Sequence, residues 1–168
     1  MKSSLFTVPN VLTFSRFILA FVLYYLIIKK NLLFSVIILA IILLTDILDG
    51  FFARKLNQVS KFGAVFDPII DTIFIVVTLF ALLYSGMLTI YLFIVLLFPR
   101  FFTFLVIIYL KYFDYSASKY SKIASLFTYL AIFSLLVGFS FILISIFAVI
   151  IYLFLLWHIS YMIKMHRK

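Results

Sequence analysis

Residues 44–74 read LTDILDGFFARKLNQVSKFGAVFDPIIDTIF, in which a short polar and basic segment separates two apolar runs. Four of the five acidic residues of the chain lie in this stretch, near the points where the apolar runs meet the polar segment. Asp46 and Asp49 are three residues apart, which places both on one face of a helix. Asp67 and Asp71 are four residues apart, and the same holds for them. The joining segment is long enough for two helices to return beside each other, so the stretch predicts one cluster of four carboxylates.

The composition of the whole chain points to a lipid environment. Of its 168 residues, 68% are hydrophobic, and the mean hydropathy is +1.36. A soluble domain is usually about half apolar, and a globule of this size cannot hide so much hydrocarbon from water. The chain has only four glycines, which favours helices over a barrel with many turns, and no cysteine, which excludes disulfides and a cysteine-based zinc site. The sequence therefore predicts an all-α integral membrane protein.

The apolar runs predict six transmembrane helices, each close to the ~20 residues that cross a bilayer. The predicted spans are about 11–28, 32–50, 64–84, 88–110, 123–139 and 141–163. No linker or change of composition divides the chain, so residues 1–168 are expected to form a single domain.

The basic residues predict the orientation of these spans. The net charge is +9, but the bases sit at the ends of apolar runs, which favours anchoring against anionic lipid over a nucleic-acid partner. With a cytoplasmic N-terminus, ten bases lie inside and two outside, so the positive-inside rule selects this orientation. The inside bases are Lys2, Arg54, Lys55, Lys61, Lys111, Lys119, Lys122, Lys164, Arg167 and Lys168; the outside bases are Lys29 and Lys30. The acidic cluster is therefore expected at the cytoplasmic side of a cell or inner membrane.

Four clustered carboxylates need compensation, because they repel each other and their burial near hydrocarbon costs more still. Protonation, or pairing with Arg54, Lys55 and Lys61, would relieve the repulsion without explaining why nearly all the acid converges here. Carboxylate oxygens are natural ligands for Mg²⁺ or Mn²⁺, and two such ions held a few ångströms apart serve phosphoryl chemistry. The sequence thus predicts two divalent ions. The expected ligands are Asp46, Asp49, Asp67 and Asp71.

The same residues also form a family signature. It runs Asp, two residues, Asp-Gly, two residues, Ala-Arg, eight residues, Gly, three residues, Asp, three residues, Asp. These positions are Asp46, Asp49, Gly50, Ala53, Arg54, Gly63, Asp67 and Asp71. In this pattern the chain resembles the CDP-alcohol phosphatidyltransferase family. TVPNVLTFSR at 7–16 is similar to the family's N-terminal Pro-Asn…Thr…Arg element, and the six-span layout fits the whole chain.

The resemblance implies a reaction of phospholipid biosynthesis and a role for each motif residue. An acceptor hydroxyl attacks the phosphorus attached to diacylglycerol in CDP-diacylglycerol, and CMP leaves. The four aspartates would bind the two metal ions, and Asp71 would also take the hydroxyl proton. Gly50 and Ala53 would let the nucleotide approach the backbone, Arg54 would neutralise the diphosphate, and Gly63 would complete the nucleotide site. Helix packing or capping is the alternative role for the two glycines.

Two acceptors are compatible with the resemblance. VPNVLTFSR, ARKLNQVSKFG and the Asp-Pro of FDPIID resemble phosphatidylglycerophosphate synthases, which use glycerol 3-phosphate. However, Thr72 stands where those enzymes usually have Lys, and Ala124 in SKYSKIAS replaces another Lys. Ala124 and DTIFIVVTLFAL at 71–82 look closer to cardiolipin synthases of this fold, which use phosphatidylglycerol. The resemblance implies glycerol 3-phosphate as the first choice and phosphatidylglycerol as the alternative.

Arg100 and Lys122 are the candidate ligands for an acceptor phosphate. An arginine inside a span usually faces the protein interior and has a partner. The alternatives are that Pro99 kinks the helix and lets Arg100 snorkel, and that Lys122 only anchors the topology. His158, near the C-terminus, is expected at the membrane interface.

A non-enzyme class remains as an alternative, namely a divalent-cation carrier, since acids inside spans also line ion paths. A carrier places its ligands near the midplane of discontinuous helices, whereas these acids cluster toward one side with Arg54 beside them. The expected partners are CDP-diacylglycerol, its acceptor and membrane lipid, with no nucleic acid. The sequence is also compatible with a homodimer.

Overall fold

The computed structural model describes the backbone of residues 8–55, 61–110 and 119–166. Side chains are described at 11–46, 48, 55, 69–103, 105 and 123–164. In these ranges the chain forms six helices: α1 Val8–Ile28, α2 Leu32–Lys55, α3 Lys61–Tyr84, α4 Ile90–Leu110, α5 Lys119–Val137 and α6 Phe141–His166. The prediction of an all-helical protein with six helices is confirmed.

The helices that carry the signature are longer than the predicted spans. α2 continues through Lys55 instead of ending near residue 50, and α3 begins at Lys61 instead of residue 64. The added residues at the end of α2, FFARK, include Ala, Arg and Lys, which are good helix formers whether or not lipid surrounds them. The signature therefore lies mostly on helices, and only 56–60 separate them.

Two of the helices are long and apolar enough to cross a membrane, over Val11–Ile28 and Phe141–Lys164. Among the described residues, the apolar parts of the other four helices are shorter. Large hydrophobic side chains are nevertheless exposed along several helices, for example Phe21, Ile94 and Trp157. Exposed apolar side chains of this kind are stable against lipid and unfavourable against water.

The chain divides into two compact units, Met1–Ser85 and Gly86–Lys168. In the first unit, α1 packs against both α2 and α3. Its buried stripe recurs every three or four residues, as expected for one helix face. The stripe consists of Thr13, Arg16, Ala20, Leu23 and Ile27, each no more than 2% exposed. A single charged residue thus lies in the middle of the contact surface of α1.

The helix ends are closed by local hydrogen bonds. After α1, Lys30 adopts a positive φ of 57°, and after α5 Gly138 does so at 79°. At both places two backbone N–H groups bond back to carbonyls of the last turn, as in a Schellman motif. The side-chain oxygens of Asn31, Thr89 and Ser140 accept bonds from the N-terminal N–H groups of α2, α4 and α6.

In the second unit, α6 packs against both α5 and α4, and a proline shapes the second contact. Pro99 has no N–H, so the carbonyl of Val95, four residues earlier, loses its usual partner within α4. The hydroxyl of Tyr152 on α6 donates a hydrogen bond to this carbonyl oxygen at 3.1 Å. The Tyr152 ring also lies parallel to that of Phe98, with centroids 6.2 Å apart. α6 therefore supplies the bond that the proline removes, next to Arg100.

Tyr152→Phe should lower the melting temperature, because it leaves the Val95 carbonyl without this donor at a cost of about 1–3 kcal/mol. The measurement is thermal unfolding of the purified protein in detergent. Tyr91→Phe, at a position 68% exposed, is the matched control and should change little. In a Pro99→Ala background, residue 99 regains its N–H and Tyr152→Phe should cost much less. Equal losses in both backgrounds would contradict the pairing.

Candidate active site

The structure brings together two of the four predicted aspartates, one from each signature helix. Asp46 on α2 and Asp71 on α3 are partly exposed, with side chains 39% and 21% accessible. Both approach the same side chain of α1, the guanidinium of Arg16. A carboxylate of α2 and a carboxylate of α3 thus meet at one side chain.

Arg16 forms an ion pair with each of the two carboxylates. Its Nη1 donates to Oδ1 of Asp46 at 2.5 Å and to Oδ1 of Asp71 at 2.5 Å. Its Nη2 lies 3.4 Å from Oγ1 of Thr13, one turn earlier on the same face of α1. Arg16 itself is only 2% exposed. The guanidinium thus links three helices at one point.

Arg16 was not among the sequence-predicted site residues, although two signals mark it. It is an arginine inside an apolar span, and such residues are usually paired and functional. It is also the last residue of TVPNVLTFSR at 7–16. The sequence could not indicate its partners, because Asp46 and Asp71 are 30 and 55 residues away.

The cluster combines one guanidinium with two carboxylates from separate helices. Its oxygens are hard carboxylate donors, the type that Mg²⁺ and Mn²⁺ prefer. Because both Oδ1 atoms lie 2.5 Å from one nitrogen, they are close enough to each other to contribute to one metal centre. The described residues therefore fit a divalent cation.

Asp49 and Asp67 lie on the same two helices, but their side chains fall outside the described residues. Among the described side chains, no group of three or more potential metal ligands occurs. The four-aspartate site stays a prediction, carried by Asp46 and Asp71.

The predicted nucleotide residues also belong to these helices. Gly50, Ala53 and Arg54 lie in the last two turns of α2, and Gly63 lies in the first turn of α3. Their side-chain surroundings fall outside the described residues. Their nucleotide-binding role stays a prediction.

The second unit contains a small cavity beside Arg100. Nη2 of Arg100 donates to Oγ of Ser125 on α5 at 2.5 Å, so the arginine has a partner within the unit. The cavity measures about 20 Å³, enough for one water molecule. Arg100 from α4 and His158 from α6 are its ionisable lining residues. His158 was not among the predicted site residues, since nothing in its local sequence indicates this neighbour.

Lys122, the other predicted acceptor ligand, lies on α5 one turn before Ser125. Its side chain falls outside the described residues. Its role as acceptor ligand, with topology anchor as the alternative, stays a prediction.

The chain belongs to the CDP-alcohol phosphatidyltransferase family, whose model matches residues 6–160. This match confirms the resemblance carried by the aspartate signature. The family is membrane-associated, which agrees with the apolar exterior of the helices.

Individual relatives carry two different names. The chain is 45% identical over 76 residues to a CDP-diacylglycerol–glycerol-3-phosphate 3-phosphatidyltransferase of Aquifex aeolicus, covering 45% of this chain and 41% of that protein. It is 42% identical over 82 residues to the human cardiolipin synthase (CMP-forming), covering 48% of this chain and 27% of that protein. The matched segments thus span less than half of the length of these relatives.

Proposed function

We propose that the protein is a membrane enzyme of phospholipid biosynthesis. It transfers the phosphatidyl group of CDP-diacylglycerol to an acceptor alcohol, with release of CMP. Family membership and the complete aspartate signature support this proposal. The observation that carries it is the meeting of Asp46 and Asp71, from two helices, at one buried charged group.

The proposed metal centre uses all four aspartates of the signature. Asp46 and Asp49 come from α2, and Asp67 and Asp71 come from α3. Two Mg²⁺ or Mn²⁺ ions bound there would neutralise the carboxylates and polarise the phosphate oxygens of the donor. The carboxylate donor set around Arg16 supports this assignment.

Asp71 is the proposed proton acceptor. Its carboxylate takes the proton of the acceptor hydroxyl as that oxygen forms a bond to the phosphorus attached to diacylglycerol. The bond from this phosphorus to the bridging oxygen breaks, and CMP carries the bond electrons away. The partial exposure of Asp71, 21% for its side chain, supports access by an incoming hydroxyl.

The proposed donor site lies along the C-terminal turns of α2. Gly50, Ala53 and Gly63 leave room for the nucleotide beside the backbone, and Arg54 pairs with the diphosphate. The signature spacing supports this assignment.

Glycerol 3-phosphate is the proposed acceptor, and phosphatidylglycerol is the second candidate. The name of the Aquifex relative supports the first, and the name of the human relative supports the second. Both acceptors carry a phosphate, for which Arg100 and Lys122 are the proposed ligands. The contact of Arg100 with Ser125, and its position at a cavity shared with His158, support a polar site within α4–α6.

The proposed setting is a cell or inner membrane crossed by all six helices, with both termini and the aspartates facing the cytoplasm. The apolar exterior and the distribution of basic residues support it.

Purified protein should release CMP from CDP-diacylglycerol only when acceptor and Mg²⁺ or Mn²⁺ are present, because the clustered carboxylates need cations to bind a diphosphate. Asp49→Ala and Asp67→Ala should each abolish release while the protein still elutes as a folded species. Asp114→Ala removes the one aspartate outside the signature and is the matched control. Full turnover in EDTA would contradict the proposal.

Arg100→Gln and Lys122→Ala should raise the KM for the acceptor about ten- to a hundredfold, as expected when a charge-assisted contact of ~1.5–3 kcal/mol is lost. The KM for CDP-diacylglycerol should stay nearly constant in both. Arg54→Ala should do the opposite and raise the KM for CDP-diacylglycerol, while the KM for the acceptor stays nearly constant. Each kind of variant thus serves as the control for the other. Measuring both KM values with glycerol 3-phosphate and with phosphatidylglycerol also identifies the acceptor. If the KM for the acceptor is unchanged in a variant, both with glycerol 3-phosphate and with phosphatidylglycerol, the substituted base is not part of the acceptor site.

A further inference from the structure

Burial of the Arg16 side chain costs desolvation free energy, so a specific role is expected for this residue. It interrupts the buried stripe of α1, between Thr13 and Ala20, and is itself 2% exposed. Taking a charged group out of water is favourable only when partners replace its solvation, and apolar residues of similar volume often pack at least as well. The signature aspartates are the partners here.

The contacts of Arg16 have an unusual arrangement. A guanidinium can bind one carboxylate through two nitrogens in a parallel fork. Arg16 directs the same Nη1 atom to Oδ1 of Asp46 and to Oδ1 of Asp71. One nitrogen thus sits between a carboxylate of α2 and a carboxylate of α3, as a bridging cation would. α1 packs against both helices, so it is fixed in position to present this charge.

We propose that Arg16 is a positioning residue that serves as a built-in counter-cation. It holds the Asp46 and Asp71 carboxylates together across α2 and α3, and divalent cations compete with it for this carboxylate pair. Only the competition with divalent cations rests on the proposed metal centre. The role of Arg16 as counter-charge to the two carboxylates does not depend on it.

Two consequences follow from this competition. Without Arg16, the two carboxylates lose the positive charge that lies between them, and the packing of α1, α2 and α3 should weaken in the absence of metal. A bound divalent cation should then raise the stability of the variant that lacks Arg16 by more than it raises that of the wild type. The reason is that the cation has no guanidinium to compete with in the variant and binds its folded state more tightly. A residue that only fills space would show neither effect.

The first arm compares Arg16→Met with the wild type by thermal unfolding of the full chain in detergent, in EDTA and in Mg²⁺. Met keeps much of the aliphatic volume and removes the charge. In EDTA the melting temperature should fall by about 10 °C, and Mg²⁺ should recover at least half of this loss. Thr13→Val removes the contact to Nη2 but leaves both carboxylate contacts, and its response to Mg²⁺ should equal that of the wild type. An equal Mg²⁺ increment in Arg16→Met and wild type would overturn the cation competition.

The second arm uses no metal. Adding Asp46→Asn to Arg16→Met removes one of the two facing charges, so the double variant should melt higher in EDTA than Arg16→Met alone. This arm also decides the outcome if Arg16→Met alone does not fold, because the double variant should then fold. A double variant no more stable than Arg16→Met, or equally unable to fold, would overturn the counter-cation role. Neither arm measures CMP release, so failure of the proposed enzyme activity remains a separate result.

Discussion

The contact of one buried guanidinium with carboxylates from two other helices is the constraint on which the first half of the protein depends. Arg16 lies in the apolar stripe of α1, where it contacts Asp46, Asp71 and Thr13. Burial makes the ion pairs costly to break, because removing one partner leaves an uncompensated charge. The same burial fixes the register of α1 against α2 and α3. The charged residues of the site therefore also determine how its helices pack in this chain.

The second unit meets a related requirement with its backbone. A backbone carbonyl left without a donor away from water costs about 1–3 kcal/mol. Pro99 creates such a carbonyl at Val95, and Tyr152 supplies the missing donor. The next residue, Arg100, finds its own partner in Ser125. A proline that interrupts the helical bonding thus sits beside a charged residue, and neighbouring helices satisfy both.

Local sequence was sufficient for the helices and for the family, but insufficient for the partners of buried polar groups. Apolar runs predicted six helices, and fixed spacing predicted that Asp46 and Asp71 belong to one cluster. The spacing of three and four residues fixes a face of one helix, but it does not reveal which third helix covers that face. Arg16 was therefore not predicted as a site residue, since its partners lie 30 and 55 residues away in the sequence. In the same way, Pro99 indicates that the carbonyl of Val95 lacks its partner within the helix. Nothing in the local sequence selects Tyr152 as the donor from eleven tyrosines, because it lies 57 residues after Val95.

The central claim is that α2 and α3 present four aspartates to two divalent cations. The most direct measurement is electron paramagnetic resonance of Mn²⁺ bound to the purified chain, combined with the stoichiometry of binding. The account predicts two Mn²⁺ ions per chain with the magnetic coupling of ions ~3.5–4 Å apart. It also predicts loss of this coupling in Asp67→Asn and its persistence in the Asp114→Asn control. Fewer than two ions per chain, or two ions without coupling, would contradict it.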